Sequence, residues 1–256
     1  MDIRAVVFDL GGTLIEYAGA YVRWPELETP GFMAAHDYLV GQGMTLPEFA
    51  RFQAAGFELL PGRWRRATAG EKNLRLVELL QEVVDACDGV CPEAAWLDEA
   101  AERYQAAVRA QAEPIAGAQA VVAHLKEQGY RLGLLSNTMF TGVAHREDLA
   151  RFGLANYFDT MVFSADVGKW KPNAEPFLHV LEDLKISPEA AVYVGDDPAS
   201  DVVGGRRAGM RTVHFRSSDR FASPDGVKPH AAIDSLAELP PLLARWQMNE
   251  GTVGQP

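Results

Sequence analysis

Cysteine is scarce in this 256-residue chain, which has only Cys87 and Cys91. Two thiols this close, with no second Cys or His pair at matching spacing, do not make a zinc site; they read as free thiols in a reducing compartment. The six histidines are scattered and include no His-x-x-x-His pair, which sets zinc-dependent hydrolysis aside. Basic charge is also short. Lys and Arg number 24 against 35 Asp and Glu, a formal charge of -11, so nucleic acid and anionic membrane surfaces are repelled overall. No apolar run approaches the roughly 18 residues of a membrane span. No basic segment followed by a cleavable apolar one opens the sequence, so no signal peptide is expected and a cytoplasmic location is. A small anionic metabolite stays admissible, because a metal ion or clustered donors reverse the field inside a cleft. Oligomeric state is not legible in the pattern.

What is present is alternation. Residues 4–10 are a short apolar run that ends in Gly11-Gly12, and comparable runs recur at 130–136, 160–163, 191–195 and 212–215. Runs that are apolar throughout and bounded by turn residues read as parallel strands buried on both faces. Helical spacing falls between them: 118–128 closed by Gly129, then 176–184, then 201–208 closed by Gly209. Strand and helix in this order predict an α/β fold, a three-layer Rossmann-like parallel sheet with helices on both faces. Residues 17–112 break the rhythm, with helix-like segments at 47–60, 71–87 and 96–112 and no convincing strand. An insert after the first strand sits over the end of the sheet where ligands bind, which makes it a candidate lid. The expected division is a core of 1–16 and 113–246, a helical cap of 17–112, and a disordered tail of 247–256.

Ligands bind at the carboxyl ends of parallel strands, and those ends carry the chemistry. The first offers Asp9, Gly11, Gly12 and Thr13; the second Ser136 and Asn137; a loop after the third Lys169 and Lys171; the fourth Asp196, Asp197 and, four positions on, Asp201. Converging carboxylates repel one another unless a hard cation joins them, and an all-oxygen set suits magnesium. Ser136 with nearby backbone N–H groups suits a phosphoryl oxygen, and Lys171 suits another. Asp9 then faces an electrophilic phosphorus as a nucleophile.

Asp9 to Thr13, Leu134 to Asn137, Lys171-Pro172 and Gly195-Asp196-Asp197-x-x-x-Asp201 resemble, in order, the four motifs of the haloacid dehalogenase superfamily, and the insert resembles its helical cap. The resemblance implies a magnesium-dependent hydrolase, foremost a phosphatase of small phosphorylated metabolites acting through an aspartyl-phosphate. Asp9 would be the nucleophile and Lys171 its catalytic partner. Ser136, Asn137 and Thr13 would bind phosphate. Asp9, the Gly11 carbonyl and Asp196 would hold magnesium, supported by Asp197 or Asp201.

Gly11 departs from the phosphatase pattern, in which that position is a second aspartate that protonates the leaving group and activates water. Help of this kind is worth roughly 10²- to 10⁴-fold, about 3 to 5 kcal/mol. The departure therefore predicts a slower enzyme, a good leaving group, a surrogate acid from the cap, or another reaction. Haloacid dehalogenation, phosphotransfer or phosphonate cleavage, and a weakened binding or regulatory role are the alternatives. Within the insert, Arg63-Trp64-Arg65-Arg66 reads as a solvated helix face, and Tyr17, Tyr21, Arg23 and Trp24 as a possible specificity loop.

Overall fold

The computed structural model describes residues 2–17, 19, 24–91, 93–218, 220–221 and 223–251. Strand β1 (Ala5–Phe8) is buried along its whole length. The chain then turns into a two-residue strand β2 (Ile15–Glu16) and leaves the body through α1 (Thr29–Gly41), α2 (Phe49–Thr68), α3 (Leu76–Ala86) and α4 (Ala94–Arg109). It returns through β3 (Glu113–Pro114), which pairs antiparallel with β2, so outgoing and incoming chain are stapled together. From there the elements alternate: α5 (Ala118–Glu127), β4 (Arg131–Ser136), α6 (Gly142–Arg151), β5 (Thr160–Phe163), the single turn α7 (Ser164–Val167), α8 (Ala174–Leu184) and β6 (Ala191–Gly195). A π-turn at Pro198–Val202 runs into α9 (Val203–Arg207), followed by β7 (Arg211–Phe215), β8 (Ala231–Ile233) and α10 (Leu239–Gly251).

Six strands form one parallel sheet in the order β5-β4-β1-β6-β7-β8. One face packs Val6, Phe8, Leu132 and Leu134 against Val122 and Leu125 of α5 and Leu243 of α10. The other packs Val7, Leu135 and Tyr193 against Phe177, Val180 and Leu181 of α8. These are the expected three layers, and they explain why the strands read as unbroken apolar runs. Register aligns Phe8 with Leu134 on one side and with Val194 on the other. The residues after β1, β4 and β6 therefore emerge level with one another, beside the strand-order reversal where α/β sheets hold ligands.

The inserted helices have a core of their own around Phe32, Phe52, Leu80, Val83 and Tyr104. That core is continuous with Met139, Phe140 and Trp170 of the body. Among the described residues no helix is long and apolar enough to cross a membrane.

Three expectations need correction. The helix expected to stop at Leu60 continues through Pro61 to Thr68. One lost N–H bond is outweighed there by burial of Leu60, Arg63 and Ala67 on the same face. The tail expected to be disordered from 247 begins as helix, since α10 reaches Gly251, anchored by buried Leu239, Leu242 and Leu243; residues 252–256 lie outside the described residues. Finally, β8 and the helices α1, α6 and α10 were not anticipated. β8 has only three residues at the sheet edge, and α6 has a weakly apolar pattern.

Candidate active site

Asp9 follows β1 directly, and its N–H donates to the Val194 carbonyl at 2.9 Å, which ties it to β6. The chain then reverses tightly, with the N–H groups of Thr13, Leu14 and Ile15 all directed at the Leu10 carbonyl. Gly12 sits at φ +79°, and a side chain there would collide with the Asp196 carboxylate. Gly11 carries no such constraint: a Cβ at that position meets only Tyr17 Cδ2, at 3.8 Å.

Lys171 is the hub. Its Nζ donates to Asp9 Oδ1 at 2.7 Å, to Asp201 Oδ1 at 2.7 Å and to the Tyr193 hydroxyl at 2.9 Å. Burial alone would lower the lysine's pKa, but the carboxylates of Asp201 and Asp9 drive it well above its ordinary value, so it remains an ammonium. The Tyr193 hydroxyl in turn donates to the Leu135 carbonyl at 2.9 Å, so all three ammonium protons have fixed acceptors.

The acids are not balanced by this one cation. Single carboxylate oxygens of Asp9, Asp196 and Asp201 lie within 4.8 Å of one another, and all three residues are buried. Asp196 Oδ2 is fully buried without a hydrogen-bond partner. Burial, then the charges of Asp9 and Asp201, push the Asp196 carboxyl well above its usual range. A buried oxygen-only cluster with an orphaned carboxylate oxygen fits a hard divalent cation.

The expected site residues separate at this point. Ser136, at the end of β4, is 4% exposed and lines the cleft with Asp9 and Lys171. Asn137 also lines it, but its amide grips the Lys171 backbone: Nδ2 donates to the Lys171 carbonyl at 2.9 Å, and Oδ1 accepts the Lys171 N–H at 2.8 Å. Thr13 was expected to bind phosphate; instead it is fully buried outside the cleft lining, and its hydroxyl donates to Asp196 Oδ1 at 3.4 Å. Asp197 was expected to support the metal, yet its carboxylate caps the following turn. It accepts from the Ala199 N–H at 2.9 Å and from the Ser200 hydroxyl at 2.6 Å, and stands outside the acidic cluster. Asp201 uses Oδ1 for Lys171 and Oδ2 for the Asp197 N–H at 3.0 Å. Lys169 is exposed and pairs with Glu175.

Above these groups lies a cavity of about 380 Å³ between body and insert. Trp24, Leu27, Trp64, Val108 and Phe140 give it an apolar roof and wall. The basic segment expected to be solvated contributes here: Trp64 lines the cavity with its ring 5.0 Å from that of Trp170, and Arg63 is buried against Glu78 and Glu82 at 3.0 and 2.6 Å. Of the expected specificity loop, Tyr17 and Trp24 line the cavity, while Tyr21 and Arg23 lie outside the described residues.

Sequence reasoning missed three contributors, Tyr193, His145 and Glu28, and gave Tyr17 only a place in a specificity loop. Tyr193 is hidden in an apolar strand, and nothing short of its strand-end partner would reveal it. Tyr17 and His145 belong to a relay. The Tyr17 hydroxyl donates to Asp148 Oδ2 at 3.1 Å, Asp148 also being paired with Arg109 at 2.9 Å. His145 Nδ1 must then donate to the Tyr17 oxygen at 3.1 Å, which leaves Nε2 to accept from the Thr138 hydroxyl at 2.7 Å. Burial and the nearby Arg109 charge lower His145 to about 3, so it is neutral. The third is Glu28, a carboxyl in the apolar part of the cavity, whose only signal in the sequence is an acid just before a helix.

A family model described as haloacid dehalogenase-like hydrolase matches residues 3–209. The chain is 36% identical over 118 residues to the glyceraldehyde 3-phosphate phosphatase of Methanopyrus kandleri, covering 45% of this chain and 50% of that protein. It is 40% identical over 114 residues to the phosphoserine phosphatase of Thermus thermophilus, covering 42% and 44%. It thus spans about half the length of the curated relatives it matches. A crystal structure of a 2-haloacid dehalogenase from Pseudomonas syringae superposes with a TM-score of 0.68 at 26% identity, covering 95% of this chain and 99% of that one.

Proposed function

This chain belongs to the haloacid dehalogenase-like hydrolase family, and from that premise we propose that it is a magnesium-dependent phosphatase. Its substrate would be the phosphate monoester of a small metabolite, cleaved through an aspartyl-phosphate on Asp9. The observation that carries this reading is the orphaned Asp196 Oδ2 beside Asp9, in a site where Lys171 is already saturated. Asp9, Asp196 and the Gly11 carbonyl are the groups that would hold magnesium, with Asp201 and Thr13 bracing them. When bound, the ion supplies charge neutralisation and Lewis acidity at the phosphoryl group. The protein's own residues supply the rest. Asp9 attacks phosphorus, Lys171 holds Asp9 in orientation through its ammonium, and Ser136 receives a phosphoryl oxygen. Residues 1–16 and 113–246 form the catalytic core in this reading, and residues 17–112 a cap whose apolar wall selects the organic part of the substrate and excludes water.

One observation favours a second reading. Attack of Asp9 on a carbon–halogen bond needs neither a metal nor an acid for the departing halide, which suits Gly11, and the 2-haloacid dehalogenase covers nearly this whole chain. Two assays separate them. The phosphatase reading expects magnesium-dependent hydrolysis of p-nitrophenyl phosphate that is abolished by chelation and by Asp9→Asn. Halide release from 2-chloropropionate without metal, and no phosphate ester turnover, would replace it with the dehalogenase.

A further inference from the structure

Glu28 is the last residue before α1, and it faces into the cavity from the insert. It is 7% exposed, and its Oε2 is fully buried without a hydrogen-bond partner. The surrounding wall offers Trp24, Leu27, Trp64 and Val108, and no hydrogen bond reaches Oε2 from any of them. Burial dominates its ionisation and is opposed by the neighbouring Tyr104 hydroxyl of α4. Burial raises Glu28 to about 7. A buried acid in such a place is costly for folding, and it lines the same cavity as Asp9.

In-line displacement puts the departing oxygen on the side of phosphorus away from the attacking atom. With Asp9 on the floor of the cavity, that oxygen is directed towards the insert. Position 11, two residues after the nucleophile, holds no acid, and the ring of Tyr17 borders the space a side chain there would enter. The Tyr17 hydroxyl proton is committed to Asp148, and His145 is neutral with both nitrogens engaged. On the insert's wall, Glu28 is the proton carrier among the described residues.

We propose that Glu28 is the acid–base catalyst that position 11 lacks, protonating the leaving oxygen and then activating water. This rests on the phosphatase reading above. In the first step the Asp9 Oδ–phosphorus bond forms, the phosphorus–oxygen ester bond breaks, and the Glu28 proton passes to the departing alkoxide, giving a neutral alcohol. In the second, water attacks the aspartyl-phosphate, its proton returns to the Glu28 carboxylate, and hydrogen phosphate leaves with Asp9 regenerated. The expected substrate is an unactivated ester with an apolar body, because that is the leaving group that needs an acid and the wall that surrounds it is apolar.

The test compares kcat/KM for p-nitrophenyl, phenyl and benzyl phosphate in the magnesium-loaded wild type, E28Q and E28D, with thermal unfolding of each to confirm the fold. The amide of E28Q has the same shape but no transferable proton. E28Q is expected to lose at least about 100-fold with benzyl phosphate and far less with p-nitrophenyl phosphate, so that the dependence on leaving-group pKa steepens. The limb of the wild-type pH profile near 7 should vanish with it, and E28D should keep part of the benzyl phosphate activity. An equal loss for all three esters, or none, in a folded E28Q overturns the proposal and leaves the phosphatase reading standing. A wild type inactive on every ester overturns both.

Discussion

Gly11 stands where the phosphatase pattern implied by the resemblance has a second aspartate, and the backbone does not demand glycine there. Its neighbour Gly12 cannot be replaced without displacing Asp196, whereas a Cβ at position 11 meets one ring carbon at van der Waals distance. The vacancy is therefore chemical, and it can be tested by filling it. In the E28Q background, G11D should restore kcat/KM for benzyl phosphate by at least about 10-fold, because a carboxyl two residues from the nucleophile regains the leaving oxygen. No recovery in a folded double variant would mean that proton transfer does not limit that substrate. The four strand-end motifs were legible because each functional side chain follows a short apolar run. The contacts of Thr13, Asn137 and Asp197 were not, since a hydroxyl, an amide or a carboxylate reads the same whether it meets substrate or a neighbouring group. Only the contacts to Asp196, Lys171 and the turn after Asp197 distinguish them.

At the scale of elements, α2 shows why local rules were insufficient. Pro61 marks a stop by propensity, yet the helix continues as Arg63, two residues further, is drawn into a double ion pair with α3. The guanidinium is 6% exposed, while Glu78 and Glu82 are 40% and 36% exposed. Arg63→Ala leaves carboxylates that water can still reach, so the loss should fall below that for a wholly buried pair, about 1–3 kcal/mol in urea unfolding. A change within about 0.5 kcal/mol would place the helix's continuation in the apolar contacts of Leu60 and Ala67 instead. Likewise α10 extends past the point where composition turns polar, because Leu239, Leu242 and Leu243 hold its first turns against the sheet layer.

Across the whole molecule, body and insert are bound through Trp64 against Trp170 and through side chains that cross between them. Asn73 Oδ1 accepts from Trp170 Nε1 at 2.8 Å, and Asn173 Nδ2 donates to the Thr68 carbonyl at 3.0 Å. The cavity between them imposes a pH signature on stability. Glu28 titrates at about 7 when folded against 4.5 for the ordinary group, so between those values the folded state keeps a proton the unfolded state has lost. Its contribution to stability is present below about 4.5 and is lost as pH rises through 7. The E28Q variant has no such loss, so its unfolding free energy should gain on that of the wild type between these pH values, by about 3 kcal/mol at most. His145 acts in the other sense, stability rising with pH between about 3 and 6.5, and does so in both proteins. A pH-independent difference would mean Glu28 is solvated in solution. The amino-acid sequence alone determined the parallel sheet, the insertion point and the place of Asp9 at a strand end, because these follow from local periodicity and from the rule that strand ends carry the chemistry. Only the tertiary structure decided which acids cluster, which hold a neighbouring turn, and that Glu28 lines the cavity, because burial and convergence of residues far apart in the chain leave no trace in local pattern.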